Sequence, residues 1–348
     1  MSFNILICDD SGFARKQMAR ALPRGWDISL SFAENGKQGI EMIKAGKADL
    51  VFLDLNMPIM DGYQTMQLIK EQDLPTLVIV VSGDVQPQAR ARMKQMGALD
   101  FISKPVDNEK LTTILTQYGL YTESDLQSDS TASNDINPAA MPTLSHSMHF
   151  TMAEKLDVYR EMANVAMGQA GEKLAKLLNV FIDLPIPNVN LIDTTELHMA
   201  LAEISDNESV SATSQGFISA GINGEAIMMF NDSNFTNMVE LLNYKHVEIN
   251  ESIELEALMD VANIAVSACL TALSEQLDVT FTHNHPILLG QHCGLDELLK
   301  NNVSRWNKVL AIEIGYGIKA KSINFDLLLL FPDKSIDLMF EKLVEGNR

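Results

Sequence analysis

DLVFLDLNMPIMDG, residues 49–62, decides the fold of the first third of the chain. Four apolar residues, Leu50 to Leu53, lead into Asp54, the pattern of a short buried strand that ends on a carboxylate. The pattern recurs. FNILICDD (residues 3–10) ends in Asp9 and Asp10, LVIVVSGD (77–84) carries Ser82, and DFISKP (100–105) carries Lys104 before Pro105; ISLSFAENG (28–36) supplies one more strand. Amphipathic helical segments separate these strands, so the expectation is a doubly wound parallel α/β sheet, whose ligands gather beyond the carboxyl ends of its strands. Asp9, Asp10, Asp54, Ser82 and Lys104 all stand at such ends. Three close carboxylates repel one another unless a cation joins them, and hard oxygen ligands suit Mg2+.

These residues resemble the response-regulator receiver family over about the first 120 residues, with all the usual positions filled. The resemblance implies a flavodoxin-like receiver domain at 1–120 with Asp54 as phosphoacceptor and a histidine kinase as phosphodonor. It makes Asp9, Asp10, Asp54 and the backbone carbonyl of Asn56 the Mg2+ ligands. Ser82 and Lys104 bind the phosphoryl oxygens, Phe101 is the aromatic switch, and the Lys104–Pro105 bond is cis.

Residues 121–149 are rich in Ser, Asp, Thr, Asn and Pro and nearly free of large aliphatic side chains, so they read as a flexible linker. His146 and His149 within it read as solvated residues rather than half of a metal site.

Beyond the linker a polar constellation occurs twice. Asp157, Glu161 and Asn164, followed by Pro187, return ninety-nine positions later as Glu256, Asp260, Asn263 and Pro286, with the same internal spacing. Each trio stands at i, i+4 and i+7 of a segment with helical apolar periodicity, and so lines one helix face. A single copy reads as solvated surface; two copies at equal offsets do not. VSATSQGFISAGINGEAIMMF (210–230) reads as a hairpin around Gly-Ile-Asn-Gly, and FTNMVELL (235–242) as a helix. The second half repeats the series with LDVTFTHNHPILL (277–289), the hairpin at 310–331 and the helix SIDLMFEKL (335–343). The period is too long for a solenoid, whose units run about 20 to 50 residues. A duplicated, pseudo-twofold α+β domain at 150–348 is expected, with repeats at about 150–247 and 248–348. His283 and His285 read as strand surface and the methionines as core.

The first copy resembles the motif of the CheC, CheX and FliY phosphatases, which remove phosphate from response regulators; the resemblance covers roughly the last two hundred residues. It implies that Glu161 and Asn164 are a catalytic pair inserted into a partner's phosphorylation site, with Asp157 and Pro187 in support. The second copy departs from the motif, because Asp260 stands where Glu is expected and Glu256 where Asp or Ser is. Asp260 and Asn263 are therefore a weaker or binding-only pair, supported by Glu256 and Pro286.

The charge is lopsided. Of a net −20, residues 1–120 hold 13 Lys and Arg against 14 Asp and Glu, which leaves 13 against 32 in the remainder. That excess repels nucleic acid, and no recognition-helix pattern appears. With no basic, apolar leader and no apolar run read as long enough to cross a bilayer, a cytoplasmic protein is expected. Cys8, Cys269 and Cys293 are too few and scattered for a disulfide framework. The leading expectation is a phosphorylation-controlled phosphatase of CheY-like regulators in chemotaxis or a similar two-component circuit. Two alternatives stay open: a non-catalytic module that sequesters phosphorylated regulators, and a phosphate sink acting on its own receiver.

Overall fold

The structure, a computed structural model, describes residues 3–122, 150–193, 209–242, 244, 250–293 and 308–345. The chain divides into two compact units, Met1–Val81 with Met93–Asp157, and Ser82–Arg92 with Val158–Arg348. His146, His149 and nearly all of the expected linker lie outside the described residues. Tyr121 does not. It is 3% exposed and packs edge-on against Trp26 in the first unit's core, one residue past the boundary expected from composition.

The first unit's sheet runs β2-β1-β3-β4-β5, from β1 (Phe3–Cys8), β2 (Ile28–Ala33), β3 (Leu50–Leu53), β4 (Leu77–Ser82) and β5 (Asp100–Ser103). β1 pairs parallel with β2 and β3, and β3 with β4. Helices α1 (Gly12–Ala21), α2 (Gly36–Lys44), α3 (Gly62–Glu71), α4 (Pro87–Met96) and α5 (Asn108–Gln117) alternate with the strands along the chain; Ser82 and the residues of α4 up to Arg92 cluster with the second unit. Successive side chains of a strand face opposite ways. Ile5, Ile7, Leu50 and Phe52 accordingly pack with Met18 of α1 and Leu111 and Leu115 of α5. Leu6, Cys8, Val51 and Leu53 pack with Ile40 and Ile43 of α2 and Met66 of α3 on the other face. A sheet covered on both faces needs apolar residues at consecutive positions, which is why LVFL is unbroken. Just beyond Asp54, α3 opens on a capping box: the Asp61 carboxylate accepts from Gln64 N at 2.7 Å and Gln64 Oε1 accepts from Asp61 N at 3.1 Å.

The second unit is an antiparallel sheet with long helices. Two helices of 27 residues, α6 (Met152–Leu178) and α8 (Glu251–Leu277), begin and end at equal offset. Thr151 and Glu154 cap the start of α6 reciprocally, and the side chain of Asn250 caps α8. β6 (Asn188–Asp193), β7 (Val210–Ser219), β8 (Ile222–Asn231) and α7 (Phe235–Leu241) follow the first helix. β9 (Thr282–His283), β10 (Ile287–Cys293), β11 (Lys308–Ile318), β12 (Ile323–Pro332) and α9 (Asp333–Glu345) follow the second. The sheet order is β10-β7-β8-β12-β11-β6, with β9 also paired to β7. Exchanging the halves leaves that order unchanged. Each half also lends its first long strand to the other's hairpin, β6 to β11 and β10 to β7, which ties the halves into one sheet.

Three sequence expectations need correction. The first hairpin turns at Ala220 and Gly221, with φ of 35° and 88°, not around Gly221–Gly224. Two central residues at positive φ match the twist of paired strands, and Ile222, fully buried, is already in β8. His283 and His285 do not share a strand, because β9 stops at His283. And α8 is long and apolar enough to cross a membrane by composition alone; Glu251, Glu254 and Glu256 stand in its first two turns, while Leu258, Val261, Val266, Cys269 and Leu273 are buried within the unit.

Candidate functional site

At the carboxyl end of β1 and β3, carboxylate oxygens of Asp9, Asp10 and Asp54 all lie within 4.8 Å of one another. Lys104 Nζ donates to Asp9 Oδ2 at 2.7 Å and stands 3.4 Å from Asp54 Oδ1; the Lys104–Pro105 peptide is cis. Asp54 is 1% exposed. Its Oδ2 accepts from Asn56 N at 3.0 Å, whereas its buried Oδ1 has no hydrogen-bond partner among the described residues. Burial pushes the Asp54 carboxyl up to about 7, Asp9 and Asp10 push the same way, and Lys104 opposes them. Three carboxylates, one of them with a buried oxygen that accepts no hydrogen bond among the described residues, are a donor set that fits a small hard cation, so Mg2+ suits these residues. Sequence reading missed Arg15, whose Nη1 donates to the carbonyls of Asp9 (2.7 Å) and Asp10 (3.1 Å) and fixes that corner of the pocket. Ser82 ends β4, buried, with its Oγ accepting from Asp84 N at 3.1 Å; Phe101 lies half-buried in β5.

The raised Asp54 pKa has a stability consequence. In the unfolded chain this carboxyl titrates near 3.8, so folding favours its protonated form. Its stabilising contribution is complete below pH 4 and is lost as pH rises through 7. Asp54→Asn removes the charge and keeps the shape. In chelator at pH 8 the variant is expected to melt several degrees above the unaltered chain, with a smaller gap at pH 5; calorimetry at the two pH values checks this.

The duplicated residues fall on α6 and α8 at matching positions but in different surroundings. On α6, Glu161 and Asn164 are 6% and 5% exposed. Asp157, which groups with the first unit, accepts from Phe13 N at 2.8 Å. Four residues past Asn164 stands Gly168, where a Cβ would lie 2.0 Å from the carbonyl oxygen of Gly83 in the same unit. On α8, Glu256, Asp260 and Asn263 are all exposed. Tyr244, which no periodicity pointed to, donates from its hydroxyl to Asp260 Oδ2 at 2.7 Å. Burial, the hydrogen bond to Asp260 and the nearby Glu256 push its phenol well above the usual range, so it remains a donor. Pro187 and Pro286 each stand just before the strand that crosses to the other half, β6 and β10; Pro187 is buried and Pro286 half-buried.

Residues 5–116 match the family of the Response regulator receiver domain. Chemotaxis protein CheY of Bacillus subtilis is 35% identical over 111 residues, which cover 32% of this chain and 92% of that protein. Protein-glutamate methylesterase/protein-glutamine glutaminase 3 of Geobacter sulfurreducens is 34% identical over 113 residues, and the match covers 32% of this chain but only 30% of that protein's length. Among solved structures, FliY of Thermotoga maritima aligns with 57% of this chain and 99% of its own, at 19% identity and a TM-score of 0.43.

Proposed function

The chain belongs to the response regulator receiver family, and from that premise we propose that its second unit is a phosphatase of the CheC, CheX and FliY kind, acting on the aspartyl phosphate of receiver domains. One observation carries this reading: α6 and α8 present an acid, an acid and an amide at i, i+4 and i+7, at equal offset, within a chain that also holds a receiver's acidic pocket. In hydrolysis, water adds to phosphorus as the bond from phosphorus to the aspartyl oxygen breaks, which releases inorganic phosphate and restores the carboxylate. Asp9, Asp10, Asp54 and the Asn56 carbonyl would hold Mg2+, which would supply charge neutralisation in the chain's own pocket. What a phosphatase adds is position, a large term in phosphoryl transfer. Asn164 orients the water, since a carboxamide both donates and accepts without bringing charge beside phosphate. Glu161 pairs with the partner receiver's lysine, and Asp157 supports the start of the face.

The reading places the protein in the cytoplasm, with a histidine kinase as phosphodonor, a CheY-like regulator as substrate, and no nucleic-acid or membrane partner. For α8, a binding-only role is favoured by Asp260, the shorter acid, which is already engaged by Tyr244.

Glu161 and Asn164 are buried, so a partner reaches them only once they are uncovered. The segment Ser82–Arg92 clusters with the unit that holds them and begins at the switch serine, so phosphorylation of Asp54 is expected to raise activity by loosening that segment. A bias of about 1.4 kcal/mol gives a tenfold change in the uncovered population. Label loss from phosphorylated B. subtilis CheY, measured with the chain bearing and lacking a beryllofluoride mimic at Asp54, tests both points. Loss faster than spontaneous supports the phosphatase, and equal rates with and without the mimic refute the regulation.

A further inference from the structure

Resting on that reading, we infer that Gly168 and its counterpart Ser267 decide which of the two faces admits a receiver backbone, so that α6 is open to a receiver's β4–α4 segment and α8 is closed to it. Gly168 follows Asn164 by four residues and Ser267 follows Asn263 by four, which places each on the face of its own trio. At Gly168 a Cβ would lie 2.0 Å from Gly83 O and 2.7 Å from Asp84 N; at Gly83 a Cβ would lie 2.9 Å from Asn164 O. Two glycines thus let two backbones touch with no side chain between them. The contact continues at Gln86, fully buried, whose carboxamide donates to Ile182 O at 2.8 Å and accepts from Ile182 N at 3.0 Å. Gly83 to Gln86 is the turn between β4 and α4, so the unit itself shows the kind of segment that the α6 face holds.

The α8 face has lost that fit. Ser267 brings a Cβ to the position where α6 has none, and its Oγ lies 3.0 Å from His283 Nε2. His283 Nδ1 is 3.1 Å from the carbonyl oxygen of Asn284. A carbonyl only accepts, so Nδ1 carries the proton, Nε2 accepts from the serine, and the hydroxyl is fixed in place. A backbone seated on α8 as Gly83 sits on α6 would meet Ser267 far inside contact distance. Tyr244 meanwhile occupies Asp260. The exposed Glu256, Asp260 and Asn263 are what such a face leaves uncovered.

Two measurements on the full chain test this. Amide hydrogen exchange reads the packing without turnover. Gly168→Ser, or Gly168→Ala should the serine variant not fold, is expected to speed exchange in Gly83–Gln86 at least tenfold, and Ser267→Gly to leave it unchanged. Unchanged exchange in the Gly168 variant at an unaltered melting temperature overturns the inference. The second measurement is turnover between copies. A chain carrying Asn164→Ala and Asn263→Ala, phosphorylated on Asp54 with labelled acetyl phosphate, is the substrate; a chain bearing beryllofluoride at Asp54, which carries no label and mimics the phosphorylated state, is the catalyst. Adding Gly168→Ser to the catalyst is expected to slow label loss at least tenfold. Ser267→Gly with Asp260→Glu is expected to restore turnover to a catalyst disabled by Asn164→Ala. Full turnover by the Gly168→Ser catalyst overturns the inference. Should the beryllofluoride-bearing catalyst itself fail to speed label loss, the phosphatase reading falls, while the exchange result still decides the packing.

Discussion

Asn164→Ala is expected to slow phosphate release from a phosphorylated receiver about a hundredfold, the cost of a misplaced reacting group, and Asn263→Ala to change it no more than a few-fold. The difference comes from the two faces. Asn164 stands one turn after a glutamate, with Gly168 beyond it to let a backbone close on the helix. Asn263 follows an aspartate one methylene shorter, already bonded to Tyr244, with Ser267 in the glycine's place. On the proposed reading, removing the carboxamide from α6 leaves the water unguided, whereas removing it from α8 alters a face proposed to be closed to a receiver backbone. Initial rates of the two variants at equal fold content decide the matter, and a larger loss from Asn263→Ala would reverse the assignment of roles.

Phosphorylation of the chain by acetyl phosphate is expected to depend wholly on Asp54 and on Mg2+. Asp54 is the most deeply buried member of the acidic cluster, with one oxygen lacking a hydrogen-bond partner among the described residues and Lys104 on the same side. An incoming phosphoryl group brings negative charge to a pocket that already holds three carboxylates against one ammonium. A divalent ion is needed to offset that repulsion. Asp54→Asn should take up no label, and chelator should prevent labelling of the unaltered chain. Label that persists under either condition would place the phosphoacceptor elsewhere.

How much of this the sequence disclosed depended on whether the signal was local. LVFL before Asp54 is legible because a strand buried on both faces must be apolar at consecutive positions. The motif helices are legible because i, i+4 and i+7 fix a face and the offset of ninety-nine repeats it. Gly168 and Ser267 lay in plain view at that same offset, but a small residue has no chemistry to attract notice until its neighbour is known. Tyr244 was hidden for another reason: no spacing rule says that a residue beyond α7 returns to a carboxylate on α8. The exchange of β6 and β10 between the halves is equally silent, since strand pairing over such separations leaves no period in the chain. The hairpin turn was misplaced because Asn223–Gly224 has turn composition, while the buried Ile222 commits those residues to the strand.

The most direct test of the phosphatase reading is the half-life of labelled phosphate on a receiver that cannot dephosphorylate itself through either motif. The Asn164→Ala, Asn263→Ala chain, labelled on Asp54, is mixed with a substoichiometric amount of chain that bears beryllofluoride at Asp54 and has both motifs intact. The account predicts that the half-life shortens at least tenfold, in proportion to the added chain, with inorganic phosphate as the product. A half-life that stays at the spontaneous value at every ratio, and also for phosphorylated CheY as substrate, would contradict it and leave the second unit a binding module.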